Sequence, residues 1–330
     1  MLAAALGGEQ FAARGGPGFA IADNVGYIDS AIIRSRVRVR YDSAYDNNEP
    51  DRAEFFYAKC GCFGNPMMKQ ELGPKFDRRA LGPQHFPVVT GRPIDKYPGD
   101  PRVDYQEVAT YLEYAPIRTF SAFIEMPARF LNPTLVKNAY GWSDLNLGFK
   151  HAFIANPDQF YTFQFRTYVP TGSGEKGLGT NHATLEPAFL VFQRLSDRLY
   201  FSGELRDWIP VHATNFAGNV LRYGVGLTYN MILTEHVRVA PVNELVGWSI
   251  LSGKEEVPIT QSPFFAVKSA SDQTIINYKI GLRIGLGNYY QPGGGSGLND
   301  RHSLYVGYGR ALTGEHWYRD MLRVEYNFWF

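Results

Sequence analysis

Cysteine is nearly absent from this 330-residue chain: there are two, Cys60 and Cys62, one residue apart in KCGCFG. That spacing is neither the CxxC of a redox site nor part of a four-ligand zinc set. The seven histidines, at 85, 151, 182, 212, 236, 302 and 316, fall in no HExxH or other close ligand spacing, so no metal site is expected. Excess charge of one sign is missing too. Thirty-three Lys+Arg stand against 32 Asp+Glu, a formal net charge of +1, which argues against a polyanion binder and leaves no nucleic-acid partner expected. No run approaches the ~18–20 apolar residues of a spanning helix, which excludes a helical membrane protein. GSGEKG at 172–177 fits G-x-G-x-x-G, but GLGTN follows it where a dinucleotide site needs a helix.

What the chain has is strand and turn material: 15% aromatic residues, with 21 Tyr, 23 Phe and 34 Gly. In RSRVRVRY, Arg34, Arg36, Arg38 and Arg40 alternate with Ser35, Val37, Val39 and Tyr41. In a strand the arginines share one face and the apolar residues share the other. The pattern recurs. In TIINYKIGLRIGLG, Ile276, Tyr278, Ile280, Leu282, Ile284 and Leu286 oppose Asn277, Lys279 and Arg283. Tyr161, Phe163 and Phe165 oppose Thr162, Gln164 and Arg166, and Leu199, Phe201 and Leu205 oppose Ser202, Glu204 and Arg206. Leu145, Leu147, Phe149 and Phe153 oppose Asp144, Asn146 and Lys150.

Such segments are predicted at about 31–45, 104–115, 118–126, 143–155, 159–169, 182–194, 197–208, 219–230, 236–251, 274–287, 302–311 and 319–330. Short links at 115–117, 155–158 and 195–196 alternate with longer ones at 127–142, 170–181, 209–218 and 252–273. That alternation predicts an all-β, up-and-down antiparallel transmembrane β-barrel of about 12 strands, with one plain rim and one elaborated rim. Fourteen strands remain open, because AEFFYAK at 53–59 reads as a further piece and the link at 288–301 is long for the plain rim. The division predicted is an N-terminal segment over 1–30, read as periplasmic, and a single barrel domain over 31–330 with a long loop at about 46–103.

The sequence ends LRVEYNFWF, with Leu322, Val324, Tyr326, Phe328 and Phe330 on one face and Arg323, Glu325 and Asn327 on the other. This resembles the closing strand of bacterial outer-membrane β-barrels. The resemblance implies that Tyr326, Phe328 and Phe330 form the signal read by the barrel-assembly machinery, and that outer-membrane lipid is a partner. MLAAALGG at the start lacks the basic region and long apolar core of a secretory signal, so this reading requires a true start upstream. A narrower resemblance covers about 140–230. Gly141, Asp144, Leu147, Gly148 and Lys150, followed by Pro170, Thr171 and Gly172, resemble the strand motifs of the outer-membrane transporter family labelled for the meta pathway of phenol degradation.

The function expected is therefore passive passage of small solutes through a charged lumen, with no cofactor. Its candidate lining is Arg34, Arg36, Arg38, Arg40, Asp144, Lys150, Arg166, Glu204, Arg206, Lys279, Arg283, Arg323 and Glu325. These same charges could equally form a structural salt-bridge lattice. Other readings are a non-transport outer-membrane protein, structural or a lipid hydrolase, and a soluble all-β binding protein. No catalytic residue is assigned: adjacent His302 and Ser303 point to opposite faces of a strand, and His182 with Thr184 offers a poor nucleophile.

Overall fold

The computed structural model describes residues 22–48, 103–133, 138–212, 217–258, 265–289 and 299–330. Cys60, Cys62, the 53–59 segment and most of the 46–103 loop lie outside them. The strands are β1 (Arg36–Asn47), β2 (Val103–Ile117), β3 (Phe120–Pro133), β4 (Ala139–Trp142), β5 (Leu145–Ala155), β6 (Gln159–Val169), β7 (Ala183–Arg194) and β8 (Leu199–Val211). They continue with β9 (Val220–Tyr229), β10 (Ile232–Leu233), β11 (Val237–Ile250), β12 (Lys254–Pro258), β13 (Phe265–Ser269), β14 (Thr274–Asn288), β15 (Asn299–Ala311) and β16 (Asp320–Trp329). A single three-residue 3-10 turn, Gly174–Lys176, lies between β6 and β7.

Twelve of these strands form a closed antiparallel barrel. The ring shuts where β1 pairs with β16, Arg36 opposite Trp329 and Tyr45 opposite Asp320. β4 and β10 bring the sheet to fourteen pieces without widening the ring, because β4 extends the β3 ladder beyond β5 and β10 extends that of β11 beyond β9. β12 and β13 form a separate hairpin on the long-loop rim. Closure pairs each of the twelve ring strands on both sides.

The alternation decides which side of the wall each residue takes. Val39, Leu112, Ile124, Leu205, Ile280 and Val324 are exposed on the outside, on strands all round the ring. Arg36, Glu113, Glu125, Arg206, Lys279 and Glu325 from the same strands are buried inside. A continuous apolar outer belt of this kind far exceeds the patches that water tolerates and is the surface of a transmembrane barrel.

The interior is filled by the chain itself. Residues 22–35 leave the wall below Arg36, rise into the lumen, bend at Gly26–Ile28 and descend again. Residues 22–30, expected on the periplasmic side, thus sit inside the barrel, and β1 begins at Arg36 rather than at 31. The physical reason is local. Ala22, Ala31 and Ile33 pack against inward Phe160, Leu190 and Phe192, an apolar collar at the short-turn rim that draws the chain inward. Gly26 is required at the bend: a Cβ there would stand 2.3 Å from the Tyr305 ring. Arg34 precedes the strand, and its guanidinium lies 5.5 Å from the centre of the buried Trp329 ring at the short-turn rim.

Candidate functional site

The lumen is built from charged pairs that neighbouring strands bring together. Inward positions on adjacent antiparallel strands lie side by side, so an arginine ladder on β1 needs carboxylates on β2, β3 and β16. They are there. Arg36 meets Glu113 at 3.1 Å, Arg38 meets Glu125 at 2.6 Å and Arg40 meets Glu107 at 2.8 Å. On β16, Arg323 binds Asp42 of β1 through two contacts of 2.7 Å, while Glu325 receives Arg283 of β14 at 2.9 Å. On the far wall Arg206 lies between Glu186, at 2.7 Å, and Glu204. Arg222 reaches Glu204 at 2.7 Å. With the bulk of water excluded, each pair is held by charge and by the hydrogen bonds of its neighbours.

Besides the apolar packing of Ala22, Val25, Ile28, Ala31 and Ile33, the inserted segment is wired into this lattice through polar groups. The Glu244 carboxylate accepts the N–H groups of Gly26 at 2.8 Å and Tyr27 at 2.6 Å, and Glu204 accepts that of Asp29 at 3.0 Å. Asp29 in turn receives Arg166 at 2.7 Å and Arg206 at 3.0 Å. Lys150 donates to the Ser30 carbonyl at 3.1 Å, and Arg238 to the Asp23 carbonyl at 2.8 Å. The Lys279 ammonium sits 3.4 Å from the centre of the Tyr27 ring and donates to the Tyr318 hydroxyl at 2.6 Å.

Of the thirteen residues expected to line the lumen, eleven are buried inside the wall and two are half-buried, Arg40 on β1 and Arg34 at the short-turn rim over the buried Trp329 ring. One has a different task. Asp144 precedes β5 and accepts the N–H of Gly172 at 3.0 Å, the N–H of Thr180 at 2.9 Å and the Thr180 hydroxyl at 3.0 Å. Thr171 accepts the Leu145 N–H at 3.0 Å, and Gly141 takes a φ of +152° that favours glycine. The Gly141, Asp144, Thr171 and Gly172 motif is thus a clamp that folds the 170–181 loop against the wall. His182 belongs to the same clamp. Its Nδ1–H donates to the Thr180 carbonyl at 3.0 Å, and burial lowers its pKa against the opposing pull of that carbonyl and of Asp144.

Above the bend of the inserted segment, on the long-loop side, a vestibule of about 1020 Å³, open solvent included, remains. One side carries Arg40, Glu107, Glu125 and Arg129; another carries Trp208 and Trp248, with Tyr27 and Asp29 among the lining residues. Trp208 stacks on Trp317 at 5.7 Å, and Trp317 meets Trp248 edge-on at 5.5 Å. The sequence reading missed Glu107, Glu113, Glu125 and Glu244, although the rule applied to β14 finds the first three in VDYQEVATYLEY and FSAFIEM. Nothing in ADNVGYIDS, by contrast, marks it as an interior segment. The rival pair His302 and Ser303 comes apart. His302 faces outward against the Tyr326 hydroxyl at 2.7 Å, while Ser303 is buried on Arg283 at 2.9 Å. Among the described residues no cluster of His, Cys, Asp and Glu could hold a metal ion.

Among solved structures, the chain is similar to an outer-membrane channel from Pseudomonas putida F1, with a TM-score of 0.54 at 11% identity over 94% of this chain and 100% of that one. LpxR from Salmonella typhimurium matches more loosely, with a TM-score of 0.45 at 10% identity over 90% of this chain and 100% of that one. The KdgM porin gives 0.38 at 10% identity over 69% of this chain and 98% of that one. No protein-family model and no curated protein matches the sequence. The first likeness establishes the fold. The phenol-pathway label suggested by residues 140–230 has no family match behind it.

Proposed function

We propose that the chain is a channel of a bacterial outer membrane, shut in this conformation by its own residues 22–35. The observation that carries this reading is the chemistry of the plug. Ala22, Val25, Ile28, Ala31 and Ile33 pack on apolar wall residues, but the backbone of the segment and its Asp23 and Asp29 are held by charged and hydrogen-bonded groups that water or a solute can replace. The lattice in the wall keeps the bore polar once the plug leaves, and a polar bore is what small-solute passage needs. The short-turn rim, with the apolar collar, would face the periplasm, and the long loops the exterior. Outer-membrane lipid would cover the belt, and the barrel-assembly machinery would read Tyr326, Phe328 and Phe330. The resemblance over 140–230 is compatible with a transporter role, and a phenolic solute rests on that resemblance alone.

The test is conductance in planar bilayers. The full chain should give small or rare openings, and a variant lacking residues 22–31 should give stable ones. A plug-less barrel that still shifts on an unboiled denaturing gel yet passes no current would overturn the proposal.

A further inference from the structure

We infer that the vestibule above the plug is a binding site for a neutral, polyhydroxylated solute of the sugar class. The inference rests on the channel reading for the solute's route and on the vestibule's chemistry for its class.

The first argument is charge. Five basic groups line the vestibule, and each already faces a carboxylate. Arg40 and Arg129 meet Glu107 at 2.8 and 2.5 Å, Arg166 meets Asp29 at 2.7 Å, Arg222 meets Glu204 at 2.7 Å, and Arg323 meets Asp42 at 2.7 Å. An ionic solute would have to displace one of these partners and leave it buried and unpaired. A hydroxyl needs no such displacement, because it donates to the carboxylate and accepts from the guanidinium of one pair.

The second argument is what the wall leaves unused. The buried Trp248 indole N–H, on the vestibule wall, makes no hydrogen bond to the protein. Neither does Oδ1 of buried Asn146, whose Nδ2 is spent on Glu125 at 3.3 Å. One orphan donor and one orphan acceptor therefore belong to residues of the vestibule lining, beside tyrosine and tryptophan rings. Buried polar groups are normally satisfied, so this pair calls for a guest carrying both an acceptor and a donor, which neighbouring hydroxyls on a sugar ring supply. The rings offer the flat apolar surface that its C–H face covers.

The experiment titrates maltose into the full chain folded in detergent, with folding verified by the unboiled gel shift and binding read by calorimetry. Benzoate and choline serve as the anionic and cationic comparators. Maltose should bind saturably and the comparators should not. Trp248→Phe keeps the ring and removes the N–H, and should weaken binding about tenfold, as expected for one buried hydrogen bond. Trp142→Phe, at an exposed position on β4, should change nothing. Should Trp248→Phe fail to fold, Asn146→Leu carries the same expectation. Absence of saturable binding by maltose and glucose to the folded barrel would overturn the inference, as would preferential binding of benzoate or choline. Conductance separates the two readings: sugar binding without current leaves the site and removes the channel, and current without sugar binding does the reverse.

Discussion

Glu244, on β11, holds the backbone of Gly26 and Tyr27, more than two hundred residues away in sequence, through N–H bonds of 2.8 and 2.6 Å. A single wall carboxylate thus fastens the bend of the plug, and no other described side chain accepts both of these amides.

Glu244→Gln removes the charge and leaves one amide oxygen for the two N–H groups. The loss is about 1–2 kcal/mol, or roughly tenfold in the plugged-to-open ratio if both bonds persist in the closed state alone. Openings in planar bilayers should increase by about that factor while the gel shift stays intact. Unaltered opening frequency would show that the bend is not the point that holds the plug.

Arg38→Glu sets a second carboxylate beside Glu125, at a place where the native contact is 2.6 Å. Two like charges buried side by side cost several kcal/mol. The folded, shift-competent fraction should fall sharply, and the exchanged pair Arg38→Glu with Glu125→Arg should recover much of it. Recovery would identify the lattice as pairwise structure; failure of the exchange would point to a wider role for Arg38.

Asp144→Ala should free the 170–181 loop without opening the barrel. Three hydrogen bonds to one carboxylate are lost, a local cost of about 3 kcal/mol. Limited proteolysis should cut within 170–181 in the variant and spare the native chain, with strand content by circular dichroism unchanged.

His182 gives this clamp a pH dependence of defined sign. Burial holds its pKa below the usual value of 6.5, so the folded state favours the neutral ring. Above pH 6.5 both states are neutral and nothing is lost. As pH falls below that value the unfolded chain takes up the proton first, and stability declines until the folded pKa is passed, by at most about 1.4 kcal/mol per unit. The heating midpoint of the gel shift should therefore drop between pH 7 and 5, and His182→Gln should flatten that part of the curve.

How much of this was legible in the sequence depended on periodicity. β14 declares itself because Tyr278, Ile280 and Leu282 alternate with Lys279, Gly281 and Arg283, and its observed bounds differ from the predicted ones by one residue at the C-terminal end. The ring count followed from loop lengths. Arg34 continues the alternation of Arg36 and Arg38 although it precedes β1, so periodicity alone set the start of the strand too early. The plug was illegible for a different reason. Asp23, Asn24, Asp29 and Ser30 are the composition of a surface loop, and only the lattice around them makes the lumen an equivalent place to solvent. The vestibule was equally hidden, since Trp208, Trp248 and Arg129 come from three strands with no spacing relation.

The seam between β1 and β16 is also where the plug is tied to the wall. Arg323 on the last strand finds Asp42 on the first and also the carbonyl of Gly26, 3.2 Å away inside the lumen. Arg36, at the other end of the seam, binds both Glu113 of the wall and Asp23 of the plug. Each of these seam arginines thus has one partner in the wall and one in the plug. The joint that shuts the ring is therefore also an anchor of the plug, so withdrawing the plug loosens contacts there while the wall pairs keep the ring closed.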